Sequence, residues 1–223
     1  IEQGWSLKSL HREIVTSATY RQSSQVQNAN ALAVDSDNRL LWRFNARQLE
    51  GEAVRDAALA ISGALNRSIG GPSYRDVEVK LNQNHEFTDP TNEFSPQTCR
   101  RTIYRLWARS GNHPLLQSLD CPDPSVMMPN RPGTITPIQA LSMMNNVFME
   151  KCAQRFAERI GSETDNQSVA QSIIMAYELA FGRQPTKQEM MLAESFINTH
   201  GRQAGLEQLC LVLLNTNEFI FIN

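Results

Sequence analysis

The residues best suited to chemistry are gathered in one stretch, RPGTITPIQALSMMNN, which runs from Arg131 to Asn146. The stretch combines a guanidinium group (Arg131), a hydroxyl group (Thr134) and a side-chain amide (Asn145) with the start of a helix. Free backbone amides and the positive end of the helix dipole attract anions at such a start. This combination predicts a site that binds an anionic group of a ligand through Arg131, Thr134 and Asn145.

The same stretch has a second interpretation as an ordinary helix start. Thr136 and Gln139 have the spacing of a capping box, in which each side chain binds the backbone amide of the other residue. Pro137 falls at the first helical position, where its missing N–H costs nothing. Helix capping does not require Arg131, so both interpretations stay open at this point.

Two aspartates, Asp120 and Asp123, lie in a proline-rich loop just upstream. Loops held by a rigid scaffold often contain catalytic side chains, and a carboxyl group can act as the acid or base of a hydrolysis. Asp120 and Asp123 are therefore the candidate catalytic residues. The alternative is that these aspartates and the neighbouring prolines only shape turns.

A second pair of carboxylates, Glu52 and Asp56, lies one turn apart on an expected helix, beside Arg55. Paired carboxylates could provide general acid–base chemistry on a sugar. Acids at this spacing next to an arginine more often form an ion-paired, solvated helix face. The spacing alone allows both interpretations.

Arginines offer a further way to hold an anion, because a guanidinium group binds carboxylate or sulfate through several donors. Four of them could converge on one ligand, namely Arg43, Arg47, Arg101 and Arg131. Arg47, Arg101 and Arg131 are taken as the ligand-binding candidates among them. The alternative is internal ion pairing with carboxylates of the chain, namely Glu50, Glu52 and Asp120.

The sequence contains no recognisable metal or cofactor motif. The four cysteines lack C-x-x-C spacing, and the four histidines form no H-x-x-x-H or H-E-x-x-H pair. The oxygen-rich segment 82–93 lacks the residue order of a calcium loop. We expect neither a metal ion nor a cofactor. Five methionines are expected to fill the core: Met127, Met128, Met143, Met144 and Met149.

Composition limits the classes of protein further. The net charge is −2 and like charges do not cluster, which argues against nucleic-acid binding. No segment approaches the ~18 consecutive apolar residues of a membrane span. The chain begins with Ile1 and shows no signal peptide, so we expect it to be part of a longer protein.

Hydrophobic periodicity predicts the elements that position these residues. The expected helices cover residues 4–24, 46–66, 136–160, 168–181, 186–199 and 203–215. The irregular part between them is expected to contain a short strand at DVEVKL, a loop at NQNHEFTDPTNEF and a strand or extended arm from Thr102. The last residues, NEFIFIN, are apolar enough to pack back on the body.

These patterns predict a mainly α-helical fold, with one multi-helix domain over residues 1–223. Its N-terminal helices would occupy 1–70 and its C-terminal helices 134–223. Between them, at 71–133, lies an irregular insertion with room for short β-strands. The N-terminal helices and the last three helices would pack on the long helix that begins at Thr136.

Several motifs in a fixed order resemble a known family. They are GWSLKSLHREIVTSATYRQSS, NRLLWRFNARQLEGEAVRDAALAISGALN, RRTIYRLWARS, LDCPDP, RPGTITPIQALSMMNN, ELAFGRQPTKQEM and the terminal NTNEF. This order resembles the planctomycete-type C-terminal domain known as domain of unknown function 1553, over nearly the whole chain. The resemblance implies a mostly helical domain in an exported, multidomain bacterial protein of the periplasm or the cell exterior, often with a cytochrome c-like domain.

The resemblance also implies a role in the use of complex, often sulfated, polysaccharides, but it supplies no activity. The polar residues that recur in the family would be, by position, Arg43, Arg47, Glu50, Glu52, Arg55, Asp56, Arg101, Tyr104, Arg109, Asp120, Pro122, Asp123, Arg131, Thr134, Thr136, Gln139 and Asn145. The chain departs from the family where Asn145-Asn146 replaces the common Asn-Asp. If that aspartate is catalytic in relatives, this chain lacks it.

Two functions follow from these observations. The first is a non-catalytic module that binds a glycan, such as a sulfated polysaccharide, or other domains of the same parent protein. The second is a hydrolytic enzyme acting on sulfated polysaccharide, with Asp120 or Asp123 as acid or base and with Arg131 and Asn145 holding an anionic group. The lack of a catalytic motif favours the first.

Overall fold

The computed structural model describes residues 1, 4–82, 85–107, 113–131, 133–164 and 168–222, with the backbone alone at 79–82 and 85–90. The chain is mainly α-helical, as predicted from the periodicity. Its internal contacts divide it into two compact units. The terminal unit comprises Ile1–Gln48 and the final strand, and the main unit comprises Leu49–Ile220.

The described part of the terminal unit contains two short helices and a two-stranded ribbon. Helix α1 (Leu7–Thr16) and helix α2 (Ala29–Val34) are followed by strand β1 (Arg47–Gln48), which pairs antiparallel with β4 (Phe221–Ile222). The expected helix over 4–24 is shorter in the structure because the Ser17 hydroxyl binds the carbonyl of Ile14 and ends α1. The side chain of Asn28 then caps α2, within a stretch whose polar composition gave no helix signal.

The main unit begins with helix α3 (Gly51–Ile61), which is shorter than the expected 46–66. Its first residue lies tightly against the chain that follows α4 (Pro114–Ser118), since a Cβ on Gly51 would come within 2.9 Å of the Leu119 Cβ. After α3, Gly63 takes a left-handed conformation and turns the chain away. The start of α3 is therefore set by its close approach to Leu119, and its end by the turn at Gly63. Hydrophobic periodicity indicates neither of these features.

The irregular insertion contains a β-hairpin and two short helical segments. Strand β2 (Val77–Asn82) confirms the prediction for DVEVKL. A loop was expected after β2, and this prediction is wrong at β3 (His85–Pro90), which pairs with β2 along its whole length and so satisfies the backbone groups that face β2. The segment expected to be a strand or an extended arm begins with a 3₁₀ turn over Thr102–Tyr104. Arg105, which follows, is extended and forms an isolated bridge with Tyr74, so the arm is present in part.

The long helix expected over 136–160 is two helices in the structure. Helix α5 (Pro137–Asn145) ends at Asn146, whose extended backbone interrupts the helical path. The Asn146 side chain accepts a hydrogen bond from the Phe148 amide and so caps helix α6 (Val147–Glu163). An asparagine that satisfies a free amide in this way makes the break favourable.

Helix α6 is the centre of the main unit. It packs against α3 and against two of the helices that follow it, α7 (Val169–Phe181) and α9 (Arg202–Leu214). Helix α8 (Lys187–His200) covers α7 and α9, and α10 (Asn217–Ile220) packs back on both. The fully buried side chains of this core include Phe156, Ile160, Ile173 and Leu214.

The methionines are divided between the core and the surface. Met143 and Met149 are fully buried, as expected. The core prediction is wrong for Met127, Met128 and Met144, which are 98%, 43% and 55% exposed. Met144 lies on the outer face of α5, whereas Met143, one residue earlier, faces inward.

A buried ion pair holds the insertion together. The Arg105 guanidinium donates through Nε to both oxygens of Asp76 at 2.9 and 3.0 Å, and its side chain is fully buried. Nε2 of His113 lies 3.7 Å from the same carboxylate. Burial nevertheless lowers the pKa of His113 to about 4, because the desolvation of the charged imidazole, together with the nearby charges of Arg105 and Arg55, outweighs the attraction of Asp76.

Replacing Gly205 by alanine should destabilise the protein, because α8 and α9 approach each other at this glycine. An added Cβ would lie 2.7 Å from the Cα of Ile197, closer than carbon atoms pack. We expect Gly205→Ala to lower the free energy of unfolding by about 1–3 kcal/mol, although alanine favours helix. Urea unfolding followed by circular dichroism measures the change.

The matched control is Gly133→Ala, because nothing lies within 4 Å of a Cβ placed on Gly133. The control should unfold at the urea concentration of the unaltered protein. Equal stabilities of the two variants would show that the α8–α9 crossing accepts a Cβ without strain.

Acidification should destabilise the protein in the range where His113 is protonated only after unfolding. Because the pKa of His113 is about 4 in the folded state and about 6.5 when exposed, the unfolded state binds the extra proton between these values. Stability is thus full above pH ~6.5 and falls by up to ~1.4 kcal/mol per pH unit toward pH ~4. The unfolding free energy of His113→Gln should fall less steeply, whereas His11→Gln, at an exposed site, should match the parent. If the unfolding free energies of His113→Gln and the parent fell in parallel with pH, His113 would not be the source of the acid sensitivity.

Candidate functional site

A cleft of about 510 Å³ in the main unit is the principal candidate site. It lies between the start of α3, the segment 101–107 and the loop 121–131. The charged and aromatic residues among those described at its walls are Glu50, Glu52, Asp56, Arg101, Arg131 and Trp107. Two of the predicted ligand-binding residues, Arg101 and Arg131, therefore lie in one cleft with the carboxylate pair of α3.

Arg131 closes one side of the cleft by pairing with α3. Its guanidinium donates to the Glu52 carboxylate at 2.8 Å and lies 3.5 Å from Glu50. Burial alone would raise the pKa of Glu52, but the Arg131 hydrogen bond, the Glu52 amide and the guanidinium charge hold this pKa below its ordinary value of 4.5. Glu52 is therefore ionised at neutral pH, and the internal ion pair offered as the alternative for Arg131 is present.

Asp56 is fixed on the opposite wall by the segment that follows Arg101. Its Oδ1 accepts from the Thr102 backbone amide at 2.8 Å and from the Thr102 hydroxyl at 2.6 Å. Arg101 lies 3.6 Å from the other oxygen, with most of its side chain exposed to solvent. The carboxylate thus has a fixed direction, while the Arg101 guanidinium is partly available to a ligand.

Arg55 anchors this wall from inside the protein. Its guanidinium donates to the carbonyls of Thr98 and Arg100 at 2.6 and 3.0 Å and to the Thr102 hydroxyl at 3.2 Å. Only 3% of the side chain is exposed. Of the two alternatives for this face, solvated or ion-paired, the ion-paired one is present, since Glu52 pairs with Arg131 and Asp56 lies near Arg101. Arg55 is instead buried, because the 98–102 segment supplies its acceptors.

The remaining wall of the cleft is apolar. Trp107 and Ile103 are 36% and 76% exposed, and Pro122 and Pro124 complete this side. Burial, with the charge and hydrogen bond of Glu52, raises the pKa of the Cys121 thiol in the cleft to about 12. A thiol with so high a pKa stays protonated and is a poor nucleophile.

Asp120 makes its contacts at the helix start rather than in the cleft. Its carboxylate accepts from the Thr134 amide at 2.7 Å, from the Thr134 hydroxyl at 2.8 Å and from the Gln139 amide at 3.1 Å. Its backbone is left-handed, with φ of 59°. The capping box of Thr136 and Gln139 is also present, so Asp120 joins the loop to the start of α5.

The other predicted residues near α5 do not converge on Arg131. Thr134 binds Asp120, and the Asn145 amide donates to the Leu141 carbonyl of its own helix at 2.9 Å. Asn145 lies at the far end of a nine-residue helix, which is ~13 Å long. Asp123 accepts from the Ser125 amide within its turn.

The remaining sequence predictions fall elsewhere. Arg43 lies over the ring of Trp42 at 5.0 Å, and Arg47 lines a separate cavity of the terminal unit. Arg109 and part of the 82–93 segment lie outside the described residues. Among those described, no three His, Cys, Asp or Glu side chains are grouped as a metal site would require, and the four cysteines are free thiols.

Sequence reasoning missed the apolar wall, which Trp107, Ile103 and Cys121 share. Trp107 and Ile103 were part of an expected strand or arm, with no indication of which side they would expose. The signal that could have found Trp107 and Ile103 is the segment RRTIYRLW, in which three arginines alternate with two aromatic residues, since binding clefts combine apolar and polar groups.

Asp120→Asn should weaken the junction between the loop and α5. Asparagine tolerates the left-handed backbone, so the substitution removes the charge and one acceptor without new backbone strain. We expect the free energy of unfolding to fall by about 1–2 kcal/mol. The change is measured by urea unfolding, with Asp37→Asn at an exposed site as control. Unchanged stability would show that Asp120 is free for another role.

Comparison with known proteins places the chain in one family. No curated protein and no solved structure shows a significant match to it. None of the described helices combines the length and apolar character that crossing a membrane requires. The family described as "Protein of unknown function (DUF1553)" matches residues 1–197, in agreement with the resemblance seen in the ordered motifs. The chain belongs to the DUF1553 family.

Proposed function

We propose that the main-unit cleft binds an uncharged segment of a polysaccharide without cleaving it. The protein would be the glycan-binding module of an exported, multidomain bacterial protein that takes part in the use of complex polysaccharides. The observation on which this proposal depends is the combination, in one cleft of about 510 Å³, of an exposed apolar wall with charged side chains held in fixed pairs.

A sugar ring has the complementary chemistry, with an apolar C–H face and an edge of hydroxyl groups. Trp107 offers a flat apolar surface to such a face. Carboxylates accept from hydroxyl groups and guanidinium groups donate to them, so Asp56 and Arg101 could bind neighbouring hydroxyls. Because Asp56 is already held by Thr102, little conformational entropy is lost when a ligand binds.

The charge of the cleft favours an uncharged ligand over a sulfated one. Its walls contain three carboxylates, namely Glu50, Glu52 and Asp56, against two guanidinium groups, Arg101 and Arg131. Arg131 is already engaged by Glu52. A sulfate group at Arg131 would have to displace this carboxylate, and a sulfate group at Arg101 would lie close to Asp56; both cost free energy.

Binding without cleavage agrees with the state of the candidate catalytic groups. A glycosidase needs a carboxyl group that keeps its proton near neutral pH, whereas the pKa of Glu52 is lowered. Three donors, from Thr134 and Gln139, surround the Asp120 carboxylate. The Cys121 thiol is protonated and therefore a weak nucleophile. These observations favour the binding module over the hydrolase.

The proposal is tested by calorimetric titration with neutral hexasaccharides of β-1,4-glucan, β-1,4-xylan and β-1,4-mannan. At least one should bind, and Trp107→Ala should weaken its binding by about tenfold or more, because the apolar contact is lost. Trp5→Ala is the matched control, since Trp5 is an exposed tryptophan of the terminal unit. Arg131→Gln should also weaken binding by leaving Glu52 without its partner.

Reducing-end release is measured on the same samples. The hydrolase would be favoured over the binding module if the parent protein released reducing ends and Asp120→Asn lost this activity while binding the hexasaccharide as tightly as the parent. The cleft would be rejected as a glycan site if none of the three hexasaccharides bound. The same conclusion would follow if Trp107→Ala and Trp5→Ala lost equal amounts of affinity.

A further inference from the structure

The terminal unit contains a second cavity, of about 360 Å³, that the proposed function does not use. The described residues that line it are Tyr20, Gln22, Phe44, Asn45, Arg47 and Ile222. They combine two aromatic rings, two side-chain amides and one guanidinium group. None of these described residues carries a carboxylate, which distinguishes this lining from that of the main-unit cleft.

Arg47 is the charged group of this cavity and it has no ion-pair partner among the described residues. It lies on β1, where the backbone pairing with Ile222 fixes its position. Arg131, in contrast, is neutralised by Glu52 at 2.8 Å. An unpaired guanidinium group beside apolar walls attracts an anion more strongly than a paired one, because no internal carboxylate has to be displaced.

Gln22 provides an independent indication of a ligand. Its side-chain oxygen is buried and accepts no hydrogen bond from the described residues. A buried acceptor without a donor costs free energy, so a hydroxyl or N–H group supplied by a bound molecule stabilises it. The cavity therefore offers one position for an anion and one for a hydrogen-bond donor.

The aromatic wall is held in place by the turn that precedes β1. Asn38 is buried, and its side chain donates to the Arg43 carbonyl at 2.7 Å and to the Asn45 side-chain oxygen at 3.0 Å. The Phe44 amide donates to the Ser23 carbonyl at 3.2 Å and so joins the two sides of the cavity. The site is therefore largely formed before a ligand arrives, which favours binding.

We infer that this cavity binds an acidic sugar, a pyranose unit with a carboxylate or sulfate group. The anionic group would bind the Arg47 guanidinium, and a ring hydroxyl would donate to Gln22. The apolar ring face would pack against Phe44 and Tyr20, whose side chains line the same cavity. The inference is independent of the main-unit cleft, which is matched to an uncharged ligand.

Calorimetric titration with three monosaccharides tests the inference: D-glucuronate, D-glucose 6-sulfate and D-glucose. At least one of the two anions should bind with a millimolar Kd and D-glucose at least tenfold more weakly, because it lacks the charge. Comparison of the two anions identifies carboxylate or sulfate as the preferred group. Saturation-transfer NMR should show the ring protons of the bound anion in contact with aromatic protons.

Variants assign the binding to this cavity. Arg47→Gln should weaken binding of the anion by about tenfold or more, and Arg47→Lys by less, because it keeps the charge without the planar fork. Gln22→Leu should also weaken binding, since it removes the hydroxyl acceptor. The matched control is Arg39→Gln, an exposed arginine of the same unit, which should leave the Kd unchanged.

Several results would overturn the inference. The acidic sugar would be rejected as the ligand class if D-glucose bound as tightly as both anions. It would also be rejected if neither anion bound at millimolar concentration. Equal losses of affinity in Arg47→Gln and Arg39→Gln would show that the anion is attracted to the protein nonspecifically. Loss in Arg131→Gln but not in Arg47→Gln would place the anion in the main-unit cleft. Because the hexasaccharides of the cleft are neutral, either proposal can fail without the other.

Discussion

Arg55 places a guanidinium group inside the main unit, against the carbonyls of Thr98 and Arg100 and the hydroxyl of Thr102. A buried charge without partners would cost several kcal/mol, and these acceptors and the ring of Phe148, 4.9 Å away, offset that cost. The contacts join residues more than forty positions apart in sequence. They fix the 98–102 segment against α3, and this places the residues that follow, up to Trp107, along one side of the cleft.

The geometry of α3 turns this internal contact into a surface with defined chemistry. Since Arg55 points inward, its neighbour Asp56 reaches the Thr102 amide and hydroxyl at the edge of the cleft. Glu52, one turn earlier, lies on the same face and meets Arg131 from the loop before α5. The loop is itself held by Asp120, which binds Thr134 and Gln139. The two walls are therefore set by separate contacts that share one helix.

Local signals in the sequence were sufficient for part of this arrangement. The capping box at Thr136 predicted the start of α5, and the expected bounds of α7, α8 and α9 agree closely with the structure, because capping and turn signals act within a few residues. The break at Asn146 was missed, since an asparagine in an apolar run has no signature until its side chain is seen to cap Phe148. Strand β3 was missed because its stability comes from pairing with β2.

The arginines show the same limit of prediction from sequence, because their roles depend on contacts with distant residues. Arg55, Arg131 and Arg47 are chemically identical in the sequence, yet one is buried against carbonyls and one is paired with a carboxylate. The third lines a cavity whose described residues include no acid. What separates them is the partner, and for Arg131 that partner lies 79 residues away in the chain. Counting arginines could therefore indicate that anions matter to this protein, but only the fold decides which guanidinium group is still free to bind one. Of these three, Arg47 is the one without an acidic partner among the described residues, and the proposed anion site of the terminal unit depends on that difference.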